Sequence, residues 1–226
     1  MIIIDEEFGE IAVRKSALAR HIKFSLAPSG KLRISAPVYV SDFRIRRLVK
    51  SSRDELRKLF GRMKNDRTLK DGQVVGKSYT VVVKESVRPS VNISGKQIVV
   101  CVVDKSDNVV VNQEIRDVLI KALKSDAKDY LAKRLEVLAE TYGFSYEKVR
   151  LSHASSRWGS CSSNGTISLN ISLMNLPYPL VDYVLVHELS HTKHMNHSTE
   201  FWNEVNRCDP NYKRHKMLLK KFSPNI

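Results

Sequence analysis

Residues 180–191 read Leu-Val-Asp-Tyr-Val-Leu-Val-His-Glu-Leu-Ser-His, and this segment decides the fold. Apolar side chains occur on nearly all sides of it, which predicts a buried helix that continues to about His194. Pro177 and Pro179 stand at the start of this helix, where proline is tolerated because the missing N–H has no partner. The polar residues at the end of so apolar a helix need a separate explanation.

That end of the helix has the pattern His-Glu-x-x-His, at His187, Glu188 and His191. Histidines four residues apart lie on one helical face, so both imidazoles can reach a common metal. The Glu188 carboxylate lies beside that face and can take a proton from water without being a ligand. His197 follows six residues later, and three nitrogen donors with an open fourth position predict a catalytic zinc site. His194 is the alternative third ligand.

The metal also explains how polar groups can be tolerated on a buried helix. Two histidines and a glutamate would be costly to desolvate unless an ion and its water satisfied them. Asn196 predicts a left-handed helix end and Ser198 predicts the cap of a following helix, which together direct His197 back toward the metal. The remaining histidines lack such spacing and are expected to be ordinary surface or core residues: His21, His153 and His215.

The composition indicates a protein with a large core and a basic surface. The 226 residues are 42% hydrophobic, and the formal net charge is +14. Such a charge attracts nucleic acid, acidic lipid or nucleotides, but no zinc finger, RRM-type or helix-turn-helix signature accompanies it. No aromatic side chain is expected between the basic residues, so we expect a solvated basic surface.

The cysteines and the amino terminus favour the cytoplasm. Cys101, Cys161 and Cys208 are odd in number and widely spaced, so they are expected to be reduced. Acidic residues follow Met1 where a secretory signal would be basic. No segment approaches the roughly 20 apolar residues of a membrane span, so no membrane partner is expected.

The first half of the chain is predicted to be mostly sheet. Residues 21–37 alternate apolar and polar residues around Pro28-Ser29-Gly30, which predicts a β-hairpin. Ser41-Asp42 begins an amphipathic helix with a basic outer face that ends near Asn65. Short β-branched runs predict three more strands, at Tyr79 to Lys84, Val91 to Ser94 and Ile98 to Val103.

The second half changes to helical periodicity. A long helix is predicted from Asn112 to Gly143. Strands follow at residues 148–152 and 166–171, and then three helices. We therefore predict an α+β fold with a boundary near Asp107-Asn108, which separates an N-terminal β-rich region (1–107) from a metal-dependent hydrolase domain (108–226).

Several short motifs resemble those of the YgjP-like metallopeptidases, relatives of SprT-like proteins in the zincin superfamily. They are residues 156–162 (Ser-Arg-Trp-Gly-Ser-Cys-Ser), Leu169-Asn170, Tyr183 to His191, Asn196-His197-Ser198 and Phe201-Trp202. The resemblance implies a zincin-like core, one zinc ion held by His187, His191 and His197, and Glu188 as general base. Metzincins share the histidine spacing but have glycine at the position of His194, which argues against that group.

The substrate is expected to be a peptide or protein. The strand at residues 166–171 would hold an extended peptide by edge pairing, and Arg157 and Trp158 are candidates to line the cleft. Tyr212, His215 and Arg157 are candidates to stabilise the transition state.

Two alternatives stay open. A metal-dependent pyrophosphatase acting on UTP is implied by assignments within the family. A DNA-associated SprT-like protease would bind DNA through the basic helix between Arg44 and Lys70.

Overall fold

The computed structural model describes residues 1–26, 32–57, 68–104 and 109–224. The chain divides into two compact units, Met1–Asp66 and Arg67–Ile226. Both units combine helices with sheets, so the predicted α+β class is confirmed. None of the described helices has the length and apolar character that crossing a bilayer requires. The cytoplasmic location stays a prediction.

The first unit is a four-stranded sheet with a helix. Its strands are β1 (Ile2–Asp5), β2 (Gly9–Ser16), β3 (Lys23–Leu26) and β4 (Leu32–Pro37), in the order β1-β2-β4-β3. Strands β3 and β4 form the predicted antiparallel pair, and the predicted turn between them lies outside the described residues. The sequence analysis did not predict β1 and β2, which pair with each other.

The helix of this unit, α1, spans Asp42–Ser51. Ser41 caps it, because its hydroxyl accepts a hydrogen bond from the Arg44 N–H at 3.3 Å. Ile45 and Val49 are the buried side of α1. The predicted single helix to Asn65 is interrupted by a turn at Ser52, residues 53–57 are helical again, and the remainder of that prediction lies outside the described residues.

The second unit contains three small sheets and four α-helices among its described residues. The first sheet has four strands in the order β6 (Val74–Val75), β7 (Tyr79–Glu85), β9 (Gln97–Val102) and β8 (Ser90–Ser94). The second sheet pairs β5 (Thr68–Leu69) with β10 (Val109–Val110). The third sheet has the order β11 (Lys148–Ser152), β13 (Thr166–Asn170) and β12 (Gly159–Cys161). The helices are α2 (Gln113–Tyr142), α3 (Tyr178–Ser190), α4 (Thr199–Cys208) and α5 (Tyr212–Leu219), with a 3₁₀ helix at Ile171–Asn175.

Local chemistry sets the ends of the long helix α2, as predicted. The Asn112 side chain accepts a hydrogen bond from the Ile115 N–H at 2.9 Å at its start. At its end Gly143 has φ 69°, and its N–H donates to the Ala139 carbonyl. Glycine takes this left-handed conformation without steric cost, so the helix stops there.

The predicted boundary near Asp107-Asn108 lies outside the described residues, and the compact units divide elsewhere. Strand residues such as Val81 and Ile98 share one buried cluster with Leu123 of α2 and Leu185 of α3. Residues 68–102 therefore belong to the compact unit that contains α3. The apolar faces of the strands in this segment are covered by α2, which follows them in the sequence.

Candidate metal centre

The side chains of His187, His191 and His197 converge at the carboxyl end of α3. Their ligand-type nitrogen atoms all lie within 4.8 Å of one another, and no other such group of His, Cys, Asp or Glu occurs among the described residues. The ring centroids of His187 and His191 are 4.9 Å apart, as one helical turn requires. The His194 ring is not part of the group.

A short turn brings His197 to the other two rings. Helix α3 ends at Ser190, four residues before the predicted end. The His194 N–H donates to the Ser190 carbonyl at 3.0 Å, which closes the turn. The predicted left-handed conformation at Asn196 is wrong, because no described residue except glycine has a positive φ. Ser198 lies at the N-cap position just before α4, but its side chain does not make the predicted cap hydrogen bond.

The donor set fits a metal ion. His191 Nδ1 lies 3.1 Å from the His194 carbonyl oxygen, so it carries the proton and leaves Nε2 with a free lone pair. His197 Nε2 lies 3.2 Å from His187 Nε2. Two nitrogen ligands of a tetrahedral zinc at about 2.0–2.1 Å would be about 3.3 Å apart. The spacing suits two lone pairs that share one cation, and without a cation one of the two nitrogens can carry a proton and donate to the other.

Burial keeps His187 in the neutral form that a metal requires. Burial is the main cause that lowers the pKa of His187 to about 3, and the neighbouring His191, His197 and Lys216 lower it further. Its buried Nδ1 atom has no hydrogen-bond partner among the described residues. The ring is therefore neutral at neutral pH, with one nitrogen protonated and the other able to bind a metal.

The Glu188 carboxyl group is buried directly beside the histidines. It is 5% exposed, and its Oε2 atom has no hydrogen-bond partner within the described part of the chain. Burial raises its pKa to about 8, and the positive charge of Arg157 partly opposes that rise. A cation held by the imidazoles would act in the same direction as Arg157 and favour the carboxylate.

Strand β12 lies against Glu188 at Gly159. A Cβ atom added at Gly159 would lie 2.6 Å from Glu188 Oε1, 2.7 Å from Cγ and 2.8 Å from Cδ. Only glycine leaves room for the glutamate side chain here. Gly159 belongs to the motif at residues 156–162, but the motif alone predicts no role for it. A glycine inside a strand often marks a close approach of this kind, and that signal could have found it.

Aromatic residues of α4 and α5 surround the imidazoles. Phe201 is fully buried, and its ring centroid lies 4.5–5.0 Å from those of the three histidines. The Trp202 ring stacks on His197 at 5.6 Å and on Tyr212 at 5.5 Å, and Lys216 Nζ lies 3.9 Å from its centroid. These rings fix the imidazoles and limit water around them.

The three candidates for transition-state stabilisation lie in different places around the histidines. Arg157 is near enough to Glu188 to influence its pKa. Tyr212 is separated from His197 by the Trp202 ring. His215 lies beyond Tyr183, and its Nδ1 atom is 2.7 Å from Asp209 Oδ2.

The tyrosine between His215 and His187 stays protonated. Burial and the negative charge of Asp209 raise the pKa of Tyr183 to about 12. A phenol at neutral pH can donate a hydrogen bond but carries no charge. Trp158, the second candidate for the cleft lining, is half-buried and packs against the hydrophobic core.

The strand predicted to hold a peptide is in the wrong position. Strand β13 is central, because it pairs in parallel with β11 and antiparallel with β12. Its two edges are therefore occupied, and β12 is the edge strand on this side of the sheet. The three residues of β12 are too few to show an alternating pattern, so the sequence did not reveal the strand.

Comparison with known proteins identifies the family. A family model described as YgjP-like, metallopeptidase domain matches residues 20–222. The chain belongs to this YgjP-like family. By its family it is an enzyme of the metal-dependent peptidase class. No curated protein matches the chain.

Two solved structures are similar to part of this YgjP-like chain. The metallopeptidase zymogen abylysin of Pyrococcus abyssi is 29% identical, covers 40% of this chain and 92% of its own, and has a TM-score of 0.37. The metallopeptidase zymogen jannalysin of Methanocaldococcus jannaschii is 19% identical, covers 39% and 92%, and has a TM-score of 0.36.

Proposed function

We propose that this chain is a zinc-dependent peptidase in which His187, His191 and His197 hold one metal ion and Glu188 is the general base. The observation that carries the proposal is the convergence of three imidazoles beside a buried carboxylate. Three nitrogen ligands leave one coordination position open, which is typical of catalytic rather than structural zinc. A zincin-type core agrees with a helix that bears both the first two ligands and the base.

The metal ion and Glu188 would have separate roles in the reaction. Zinc, when bound, polarises the scissile carbonyl and lowers the pKa of a water molecule to about 7. Glu188 would accept a proton from the attacking water and return it to the leaving amine. The buried position of its carboxylate strengthens that proton transfer, because few water molecules compete for it. The Arg157 guanidinium favours the charged form that must accept the proton.

Strand β12 would bind the substrate. It is the edge strand of its sheet, and its residue Gly159 lies against the Glu188 side chain. An extended peptide can pair with such an edge and bring its scissile bond to the base. This role replaces the one that the sequence analysis gave to β13.

Elemental analysis of the purified full-length protein tests the ligand set. We expect close to one zinc per chain in the wild type and loss of the metal in His187→Ala and His191→Ala. His197→Ala should also release zinc, whereas His194→Ala should retain it, because the His194 ring is outside the group. Stoichiometric zinc in His187→Ala would refute the assignment.

A second experiment separates binding from chemistry. Glu188→Gln keeps the size of the side chain but cannot accept a proton. Zinc content should be unchanged, and peptide hydrolysis should fall by about 100-fold or more. Turnover at the wild-type rate in this variant would exclude Glu188 as the base.

The same two proteins decide between peptide and nucleotide substrates. Zinc-loaded wild type and Glu188→Gln are compared on a mixed peptide library and on nucleoside triphosphates, including UTP. We expect cleavage of peptides only, lost in Glu188→Gln. Pyrophosphate release from UTP that depends on Glu188, without any peptide cleavage, would replace this proposal by the pyrophosphatase alternative.

A further inference from the structure

A second candidate binding surface lies on the unit Met1–Asp66. It is a groove of about 760 Å³, which we call the α1 groove, lined by residues that include Arg20, Tyr39, Phe43, Arg44 and Arg47. All of these residues belong to the first compact unit. The groove therefore shares no residue with the candidate metal centre.

Two aromatic rings of the groove are exposed to solvent. Tyr39, in the turn before α1, is 78% exposed, and Phe43, in the first turn of α1, is 76% exposed. The core of this unit is formed by other residues, such as the fully buried Ile45. The two rings therefore lie outside that core. Neighbouring exposed rings on a soluble protein indicate a binding surface.

The groove is also positively charged. Arg20, Arg44 and Arg47 are exposed, and none of them has an ion-pair partner in the described part of the chain. The acidic residue at this end of α1, Asp42, is paired with Lys15 at 2.7 Å. The guanidinium groups thus present uncompensated charge beside the rings, and the groove is complementary to an anion.

This arrangement contradicts the premise of the sequence analysis that no aromatic side chains lie among the basic residues. Helical periodicity alone does not reveal that Phe43 is on the same surface as Arg44 and Arg47. Tyr39 precedes the helix and is outside its pattern. The prediction that the basic surface is merely solvated depended on that premise, so it no longer holds for this surface.

We infer that the α1 groove binds single-stranded nucleic acid, with bases stacked on Tyr39 and Phe43 and phosphates contacted by the arginines. Grooves for single strands combine aromatic rings with a basic track, because every base has a flat face that stacks. In a duplex those faces are covered by neighbouring bases, so exposed rings favour unpaired strands. An acidic peptide would satisfy the arginines but would leave the rings without a matching partner.

The charge is tested with a fluorescent 12-nucleotide single-stranded DNA and the full-length protein. Arg44→Gln/Arg47→Gln removes two groove charges, whereas Arg46→Gln/Lys50→Gln removes two exposed charges of the same helix outside the groove. Each lost phosphate contact should reduce the slope of log affinity against log salt by about 0.7. We expect a change of about 1.4 for the groove pair and less than half of that for the matched control.

The rings are tested separately. Tyr39→Leu and Phe43→Leu keep an apolar side chain but remove the flat ring, and each should weaken DNA binding by about 5-fold or more. Because both side chains are exposed, the thermal stability should not change.

Three outcomes would overturn the inference. The first is no binding of the oligonucleotide at low salt. The second is equal weakening by both charge pairs, which would indicate diffuse attraction. The third is a 12-residue polyglutamate that binds as tightly as the DNA and is indifferent to Phe43→Leu, which would identify an acidic protein as the partner.

Discussion

Gly159→Ala tests whether strand β12 and the Glu188 side chain are packed as closely as the structure shows. The added Cβ would lie within 2.6–2.8 Å of three Glu188 atoms, and contacts under 3 Å must relax by movement. Glu188 is 5% exposed and belongs to a buried helix, so it has little space to move. Such overpacking costs about 1–3 kcal/mol. The loss of glycine from a strand returns about 0.5–1 kcal/mol.

The expected net destabilisation is therefore about 0–2.5 kcal/mol, or up to roughly 10 °C in Tm for a unit of this size. In the Glu188→Ala background the contacted atoms are absent. There Gly159→Ala should stabilise the protein by about 0.5–1 kcal/mol, so the sign of the effect reverses. The φ angle of Gly159 is not positive, so alanine adopts its conformation without strain.

Differential scanning calorimetry on the four proteins of this cycle measures the coupling without any assay of activity. In the otherwise wild-type chain, displacement of the carboxylate by about 1 Å should also slow peptide hydrolysis by about 100-fold. Zinc content should not change, because the histidines are not contacted. Equal destabilisation by Gly159→Ala in both backgrounds would refute the reasoning.

Three further predictions follow from other contacts. Hydrogen bonds from Arg207 and Lys193 lower the pKa of Glu204 from 4.5 to about 2, so this carboxylate should stabilise the fold above about pH 5 and progressively less as the pH falls toward 2. Its partners are partly exposed, so Glu204→Gln should cost about 1 kcal/mol at pH 7 and clearly less at pH 3 in thermal melts. Zinc at 100 times its Kd should stabilise the metal-free protein by about 2.7 kcal/mol, and His197→Ala should abolish most of that gain in calorimetry. Asn170→Asp should lower Tm strongly, because it places an acceptor against two carbonyl oxygens.

The parts of the fold that could be predicted from sequence are those set by local chemistry. The ends of α2 are fixed by the Asn112 cap and by Gly143, both of which can be read within a few residues. The position of α3 follows from its apolar composition and its prolines. Sheet order and the division into units depend on contacts between residues that are distant in the sequence, so local patterns do not predict them. Strand β12 is also too short to show the alternation of apolar and polar residues that predicts a strand.

The candidate site also contains residues that local sequence patterns predict and residues that they do not. Helical periodicity alone places His187, Glu188 and His191 on neighbouring positions of one helix. The location of His197 depends on a turn whose predicted conformation was wrong, although the structure does place His197 close to His187 and His191. Gly159 and Phe201 belong to other elements, and no spacing within α3 reveals that they contact its side chains.

Asn170 shows how one buried side chain can connect a sequence motif to the site. Its Nδ2 group donates to the Ala154 carbonyl at 2.6 Å and to the Arg157 carbonyl at 2.9 Å, and its Oδ1 atom accepts from the Ser172 N–H at 3.0 Å. Both ends of the amide are thus used, and the residue is fully buried. Both carbonyls belong to the loop that carries Arg157 and leads directly into Gly159. An amide is the one side chain of this size that can donate twice and accept once without bringing a charge into the core. Asn170 therefore connects the 3₁₀ helix at Ser172 to the loop that enters the strand beside Glu188.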